Sequence, residues 1–183
     1  FENLLASYNP ETQQTARKQT GSFYTPREIV QYMVDESLVT HLKRTVGNEL
    51  ESEYRKLLDY ADNEILLTEQ QKLAIMQSLY NCKILDPACG SGAFPVGVLQ
   101  QMVHILKQID PDNSRWKNML LQFAIDETSE AYLNSTAEER REAVADIERA
   151  FDENVNYPDY ARKLHLIENC IYGVDTQPLS LIH

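Results

Sequence analysis

The 183-residue chain carries 17 lysines and arginines against 28 aspartates and glutamates, a formal net charge of −11. That excess of acid excludes this segment as the main phosphate-binding surface of a nucleic-acid protein, while leaving room for a local basic groove. Its 43% hydrophobic content suffices for a buried core, and no apolar run approaches the roughly 18 residues of a membrane span. The length suits one domain, and the start at Phe1, without an initiator methionine, is what a piece of a longer chain would show. Cys82, Cys89 and Cys170 are odd in number and lack C-x-x-C spacing, so reduced thiols of an intracellular, cytoplasmic protein are expected. No signal peptide opens the chain. His41, His104, His165 and His183 have no ligand spacing with the cysteines or one another, so no metal site is expected.

In chain order, residues 1–19 are polar and read as a flexible arm. "TGSFYTPREIVQYMVDESL" follows, with Thr25 placed to cap a helix, Pro26 in its first turn and Glu28 completing a capping box. Ile29, Val30, Met33, Val34 and Leu38 recur at helical spacing, which predicts a helix over 26–44. Gly47 and Asn48 break it, and a second, one-sidedly charged helix is predicted over 49–61. Thr68 and Gln71 form another capping box, ahead of Leu73, Met76 and Leu79, in a helix ending near Asn81.

"KILD" at 83–86 reads as a short strand entering a glycine loop, and Val96, Leu99, Val103 and Leu106 spell a helix leaving it directly. "DPDNS" at 110–114 ends that helix. Residues 115–126 form the next, with Trp116, Leu120 and Phe123 inward, and Thr136 with Glu139 caps another that buries Val144, Ile147 and Phe151. Pro158 punctuates, 159–168 holds one or two more turns, and "CIYGVD" at 170–175 is a second strand. The segments are therefore an arm (1–19), a helical lead-in (20–82), a strand, loop and helix (83–109), a helical insertion (110–168) and a second strand with a truncated end (169–183). Two short strands do not finish a β-helix-β domain, so the fold class is α/β with an incomplete parallel sheet and a large helical content.

The loop "DPACGSG" at 86–92 defines a candidate site. A strand, a glycine turn and a helix start make a main-chain cradle that a ligand approaches closely. The dinucleotide fingerprint wants a third glycine where Pro95 stands, and no Gly-Lys-Ser/Thr follows, so neither that fingerprint nor a P-loop is present. Asp86, before the glycines, opposes a pyrophosphate and suits a cation. S-adenosylmethionine carries an ammonium and a sulfonium and no phosphate, so the chemistry favours it. Asp175 ends the second strand, where an acid can accept both hydroxyls of a ribose. The plainer readings are a tight turn with Asp86 capping a helix, and a strand-ending Asp175 that starts a turn before Pro178.

"TGSFYTP" at 20–26, "DPACGSGAF" at 86–94 and "IYGVDTQP" at 171–178 resemble, in that order, the amino-terminal motifs of DNA adenine-N6 methyltransferases. The wording is most similar to restriction–modification enzymes that fuse methylation to cleavage, and to modification subunits of type I systems. The resemblance implies a Rossmann-like S-adenosylmethionine-dependent methyltransferase sheet. It implies that Thr25, with Phe23, Tyr24 and Pro26 beside it, touches the methionine end of the cofactor. Asp86 and the run Pro87, Ala88, Cys89, Gly90, Ser91 and Gly92 hold the same part, and Phe94 packs beside the loop. Asp175 takes the ribose hydroxyls and Thr176 borders the adenine. For Phe23 and Tyr24, core packing beneath the cradle is an equal alternative.

That family carries its chemistry in a later Asn/Asp-Pro-Pro-aromatic motif, which accepts hydrogen bonds from the amino group of a flipped adenine. The sequence has no such motif; "NYPDY" at 156–160 lacks the Pro-Pro pair and precedes the Asp175 strand. Half an active site is therefore expected, with no catalytic residue in this chain, no activity in isolation, and double-stranded DNA met through other regions of a parent protein. An RNA or protein-glutamine methyltransferase is the second reading. A non-catalytic helical module that docks domains or subunits through 110–168 is the third.

Overall fold

The computed structural model describes residues 8–9, 14–15, 25–126, 133–152 and 159–175. Within them the chain is α/β and mostly helical. Strand β1 (Tyr8–Asn9) pairs antiparallel with β2 (Gln14–Thr15) inside the segment read as an arm. Helix α1 spans Arg27–Thr45, and a 3-10 turn at Asn48–Leu50 leads into α2 (Glu51–Leu58). Then come α3 (Glu69–Tyr80), β3 (Ile84–Asp86), α4 (Ala93–Ile109), α5 (Ser114–Ile125), α6 (Ala137–Ala150), α7 (Tyr160–Asn169) and β4 (Ile171–Gly173).

The capping boxes of α3 and α6 form as the sequence predicts: Thr68 accepts from the Gln71 N–H, and Thr136 from the Glu139 N–H. The one expected at Thr25 does not. Pro26 keeps an extended ψ of 144°, so α1 starts one residue later, with no side-chain cap bond. The Pro26 carbonyl itself takes the Ile29 and Val30 N–H groups, at 3.0 and 3.1 Å. The buried stripe of α1 is Val30, Val34, Leu38 and Leu42, spaced by four, together with Val39. Ile29 and Met33, expected inward, are each 48% exposed.

The stripe lies on α4, where Gly97 has no side chain to hold the helices apart. A Cβ there would stand 3.3 Å from Val30 Cγ1 and 3.5 Å from Val34 Cγ2. Helix α4 also closes α2. The last carbonyls of a helix have no partner within it. Gln108 donates to the Leu57 carbonyl, Gln101 to that of Leu58, and His104 to that of Asp59. Polar residues inside α4 are thus the C-terminal cap of its neighbour, and Gln101 reaches Asp35 on α1 as well.

At the far end of α4 sits Asp110, wholly buried. Its carboxylate accepts the Arg115 and Trp116 N–H groups, at 3.1 and 2.9 Å, and so caps α5. Arg162 of α7, also wholly buried, donates to the Asp110 carboxylate at 2.7 Å and to its carbonyl. One ion pair ties α4, α5 and α7 together. Helix α7 buries Ala161, Arg162 and Leu166, and α6 leans on α5 with only half-buried residues. The expected stripe Val144, Ile147 and Phe151 is accordingly half-covered.

Strands β3 and β4 run parallel, with Ile84 opposite Ile171, Leu85 opposite Tyr172 and Asp86 opposite Gly173. Among the described residues they pair only with each other. One face carries Leu85, Tyr172 and Val174, exposed by 62%, 45% and 54%. No helix of the described residues is long and apolar enough to cross a membrane, and no group of side chains among them could hold a metal ion.

Candidate functional site

Asp86 is the last residue of β3. Its Oδ1 accepts the Ala88 N–H at 3.0 Å, which folds the chain into the loop. Its Oδ2 is buried with no hydrogen-bond partner. A buried carboxylate oxygen without a donor is costly, so this atom is chemically fitted to a cationic or N–H-bearing group.

The loop then closes quickly. The Cys89 carbonyl accepts the Gly92 N–H at 2.7 Å. Gly90 has φ +50° and Gly92 has φ +85°, left-handed conformations in which L side chains are strained. Gly92 stands immediately before α4 and makes no side-chain cap, and the first turn of α4 holds no acid. Pro95 in that turn has no N–H, so Ala93 and Phe94, with the positive end of the helix dipole, are the donors that favour an anion there. Pro87, Ala88 and Ser91 are exposed around the loop, while Phe94 packs against the core.

The second strand fastens onto the loop. The Val174 N–H donates to the Asp86 carbonyl, and the Cys89 N–H to the Val174 carbonyl, both at 2.9 Å. The ladder therefore continues past β4, and Asp175 arrives beside the glycines. Its Oδ2 lies 3.9 Å from where a Gly90 Cβ would stand. Asp86 and Asp175, far apart in sequence, both border the glycine loop, Asp86 through Ala88 and Asp175 beside Gly90. Asp175 stands two residues beyond β4 rather than within it.

Thr25 and Pro26 are exposed at the start of α1. Val30 and Val34 meet Gly97, and Asp35 meets Gln101, so α1 and α4 advance together from one end, the end that carries the loop. Phe23, Tyr24 and Thr176 lie outside the described residues. A groove of about 650 Å³ runs elsewhere, between α1 and α2, lined by residues such as Arg27, Tyr32, Asp35 and Tyr60. It shares no residue with the glycine loop. Sequence reasoning missed Gly173, which fits against the loop from β4; a glycine inside a strand, where it has no side chain to pack, is the signal that marks such a close approach.

Three comparisons bear on this geometry. No protein family matches the chain, and no solved structure matches it. One curated relative does: a protein of Methanocaldococcus jannaschii named, by inference, type II restriction enzyme and methyltransferase RM.MjaORFECS2P. It is 28% identical over 105 residues, which take in 51% of this chain and 9% of the relative. The chain thus matches under a tenth of that protein's length, and it is distantly related to a restriction–modification protein.

Proposed function

We propose that this chain is the cofactor-holding part of an S-adenosylmethionine-dependent DNA methyltransferase of a restriction–modification system, acting on the N6 amino group of adenine. The observation that carries the reading is the convergence of Asp86, Gly90 and Asp175 at the carboxyl end of two parallel strands, with one Asp86 oxygen buried and unmet. The relative's name supports the methyltransferase class. The order of the three sequence motifs supports adenine as the target.

The residues fit the cofactor end by end. Asp86 Oδ2 accepts its ammonium, and the uncapped start of α4 faces its carboxylate. The main chain at Gly90 and Gly92 admits it closely, and Asp175 accepts the ribose hydroxyls. Bound there, S-adenosylmethionine supplies an electrophilic methyl on its sulfonium. This chain's own residues bind and orient; the groups that grip the target base, and the double-stranded DNA, belong to regions beyond it. The bare apolar face of Leu85, Tyr172 and Val174 supports a larger Rossmann-like sheet, since parallel sheets are normally covered on both faces. The protein works in the cytoplasm in this reading.

The test is incubation with labelled S-adenosylmethionine and mixed duplex DNA, followed by nucleoside analysis. The chain alone should transfer no methyl. A longer form carrying an Asn-Pro-Pro-aromatic segment should yield N6-methyladenine. Label in cytosine, RNA or protein instead would refute the adenine assignment.

A further inference from the structure

Gly173 is a fourth residue at this loop, beside Asp86, Gly90 and Asp175. It lies on β4 opposite Asp86, two residues before Asp175. A Cβ built on it would stand 3.0 Å from Cys89 Sγ and 3.1 Å from Cys89 Cβ, with Pro95 Cγ next at 4.0 Å. The backbone here is ordinary, unlike that of Gly90 and Gly92, so conformational freedom does not explain the glycine. Space does. The Cys89 side chain lies so close over β4 that a side chain at 173 would press on it.

Two hydrogen bonds flank this contact. One joins the Cys89 N–H to the Val174 carbonyl, and the other the Val174 N–H to the Asp86 carbonyl. The loop can lie on the strand, and these bonds can close, because Gly173 yields to Cys89. The same seating sets Gly90 beside Asp175. The distance between the loop that would hold the amino-acid end of a ligand and the acid that would hold its sugar is therefore fixed by how deeply Cys89 nests on β4.

We infer that Gly173 is a positioning residue for the cofactor site: by accepting the Cys89 side chain it sets the spacing between the glycine loop and Asp175. Its effect on cofactor affinity rests on the function proposed above; its effect on the loop does not. A methyl group at 173 must push Cys89 by a few tenths of an ångström. Cys89 Cβ, next to the backbone, cannot simply rotate away, so the loop itself moves off the strand.

The experiment pairs two readouts on Gly173→Ala in the full protein. The first is peptide-resolved alkylation by a maleimide, with Cys82 and Cys170, both buried, as internal controls for intact folding. Cys89 should react several times faster in the variant, with the two controls unchanged. An unchanged Cys89 rate, or a rise shared by all three thiols, overturns the inference. The second is calorimetric binding of S-adenosylmethionine. Small displacements at a preorganised site cost affinity, so the variant should bind about fivefold to tenfold more weakly. Adding Cys89→Gly to Gly173→Ala should bring affinity back to that of Cys89→Gly alone. A loss that this second substitution does not restore refutes a role through Cys89. If the unsubstituted protein binds no cofactor, the proposed function falls, and the alkylation result still decides whether Gly173 seats the loop.

Discussion

The Asp175 carboxylate lies 3.9 Å from the point at which a side chain on Gly90 would begin. The two residues come from opposite ends of a long helical excursion, and the parallel pairing of β3 with β4 brings them together. Asp175→Ala should lose the hydrogen bonds to the ribose and weaken cofactor binding about tenfold to a hundredfold, a loss of about 1.4–2.8 kcal/mol in all. Titration calorimetry against S-adenosylmethionine reads this directly. Gly90→Val should do similar damage by another route. Its φ of +50° costs a β-branched residue about 1–2 kcal/mol, and its methyls grow toward Asp175.

Asp86→Asn separates the two jobs of that carboxylate. The amide oxygen still accepts the Ala88 N–H and keeps the turn. The charge facing a ligand ammonium is gone. Cofactor affinity should fall about tenfold with the unfolding midpoint nearly unchanged. Equal losses in both measurements would make Asp86 a turn residue only.

The Asp110–Arg162 pair makes a stability prediction that does not involve the cofactor. Both side chains are fully buried, and Asp110 also caps α5. Asp110→Ala takes the carboxylate from the buried Arg162 guanidinium, which keeps the residue-110 carbonyl and Asp159 at 3.7 Å, and unpairs two helix N–H groups. It should lower unfolding free energy by about 3–5 kcal/mol in urea titrations. A change under about 1 kcal/mol would mean the pair is open to water.

His165 supplies the pH dependence. It stacks on Tyr80, with ring centroids 4.1 Å apart, and meets Trp116 edge-on at 5.6 Å. Burial holds its pKa below the ordinary 6.5, outweighing the Tyr80 carbonyl that favours its charged form. The unfolded chain therefore takes up this proton first as pH falls. The stability due to neutral His165 is present above about pH 6.5 and is lost as pH drops through the lower folded value. Thermal unfolding should show a midpoint falling between pH 7 and pH 5, with a shallower slope in His165→Phe.

Local signals told part of this in advance. The boxes at Thr68 and Thr136 are complete within four residues, and each formed. The strand at Ile84–Asp86, the glycine loop and the helix straight after it follow from an apolar run, an acid and two glycines in a row. Which flank of a helix is covered is a tertiary matter. Periodicity marks Ile29, Met33, Leu73 and Val96 as apolar without saying that nothing packs over them, and all four are exposed. The Thr25 cap failed because the same Pro26 that favours a helix start stayed extended itself. The Asp110–Arg162 pair and the Cys89–Gly173 fit join residues distant in sequence through contacts that leave no periodic trace.

The central claim is that Asp86, the glycine loop and Asp175 together hold S-adenosylmethionine. Calorimetry with the cofactor, repeated on the Asp86→Asn, Asp175→Ala double variant, tests it most directly. The account predicts saturable one-to-one binding by the unsubstituted protein that the double variant abolishes. Undiminished binding by the double variant, or none by the unsubstituted protein at millimolar cofactor, would contradict it.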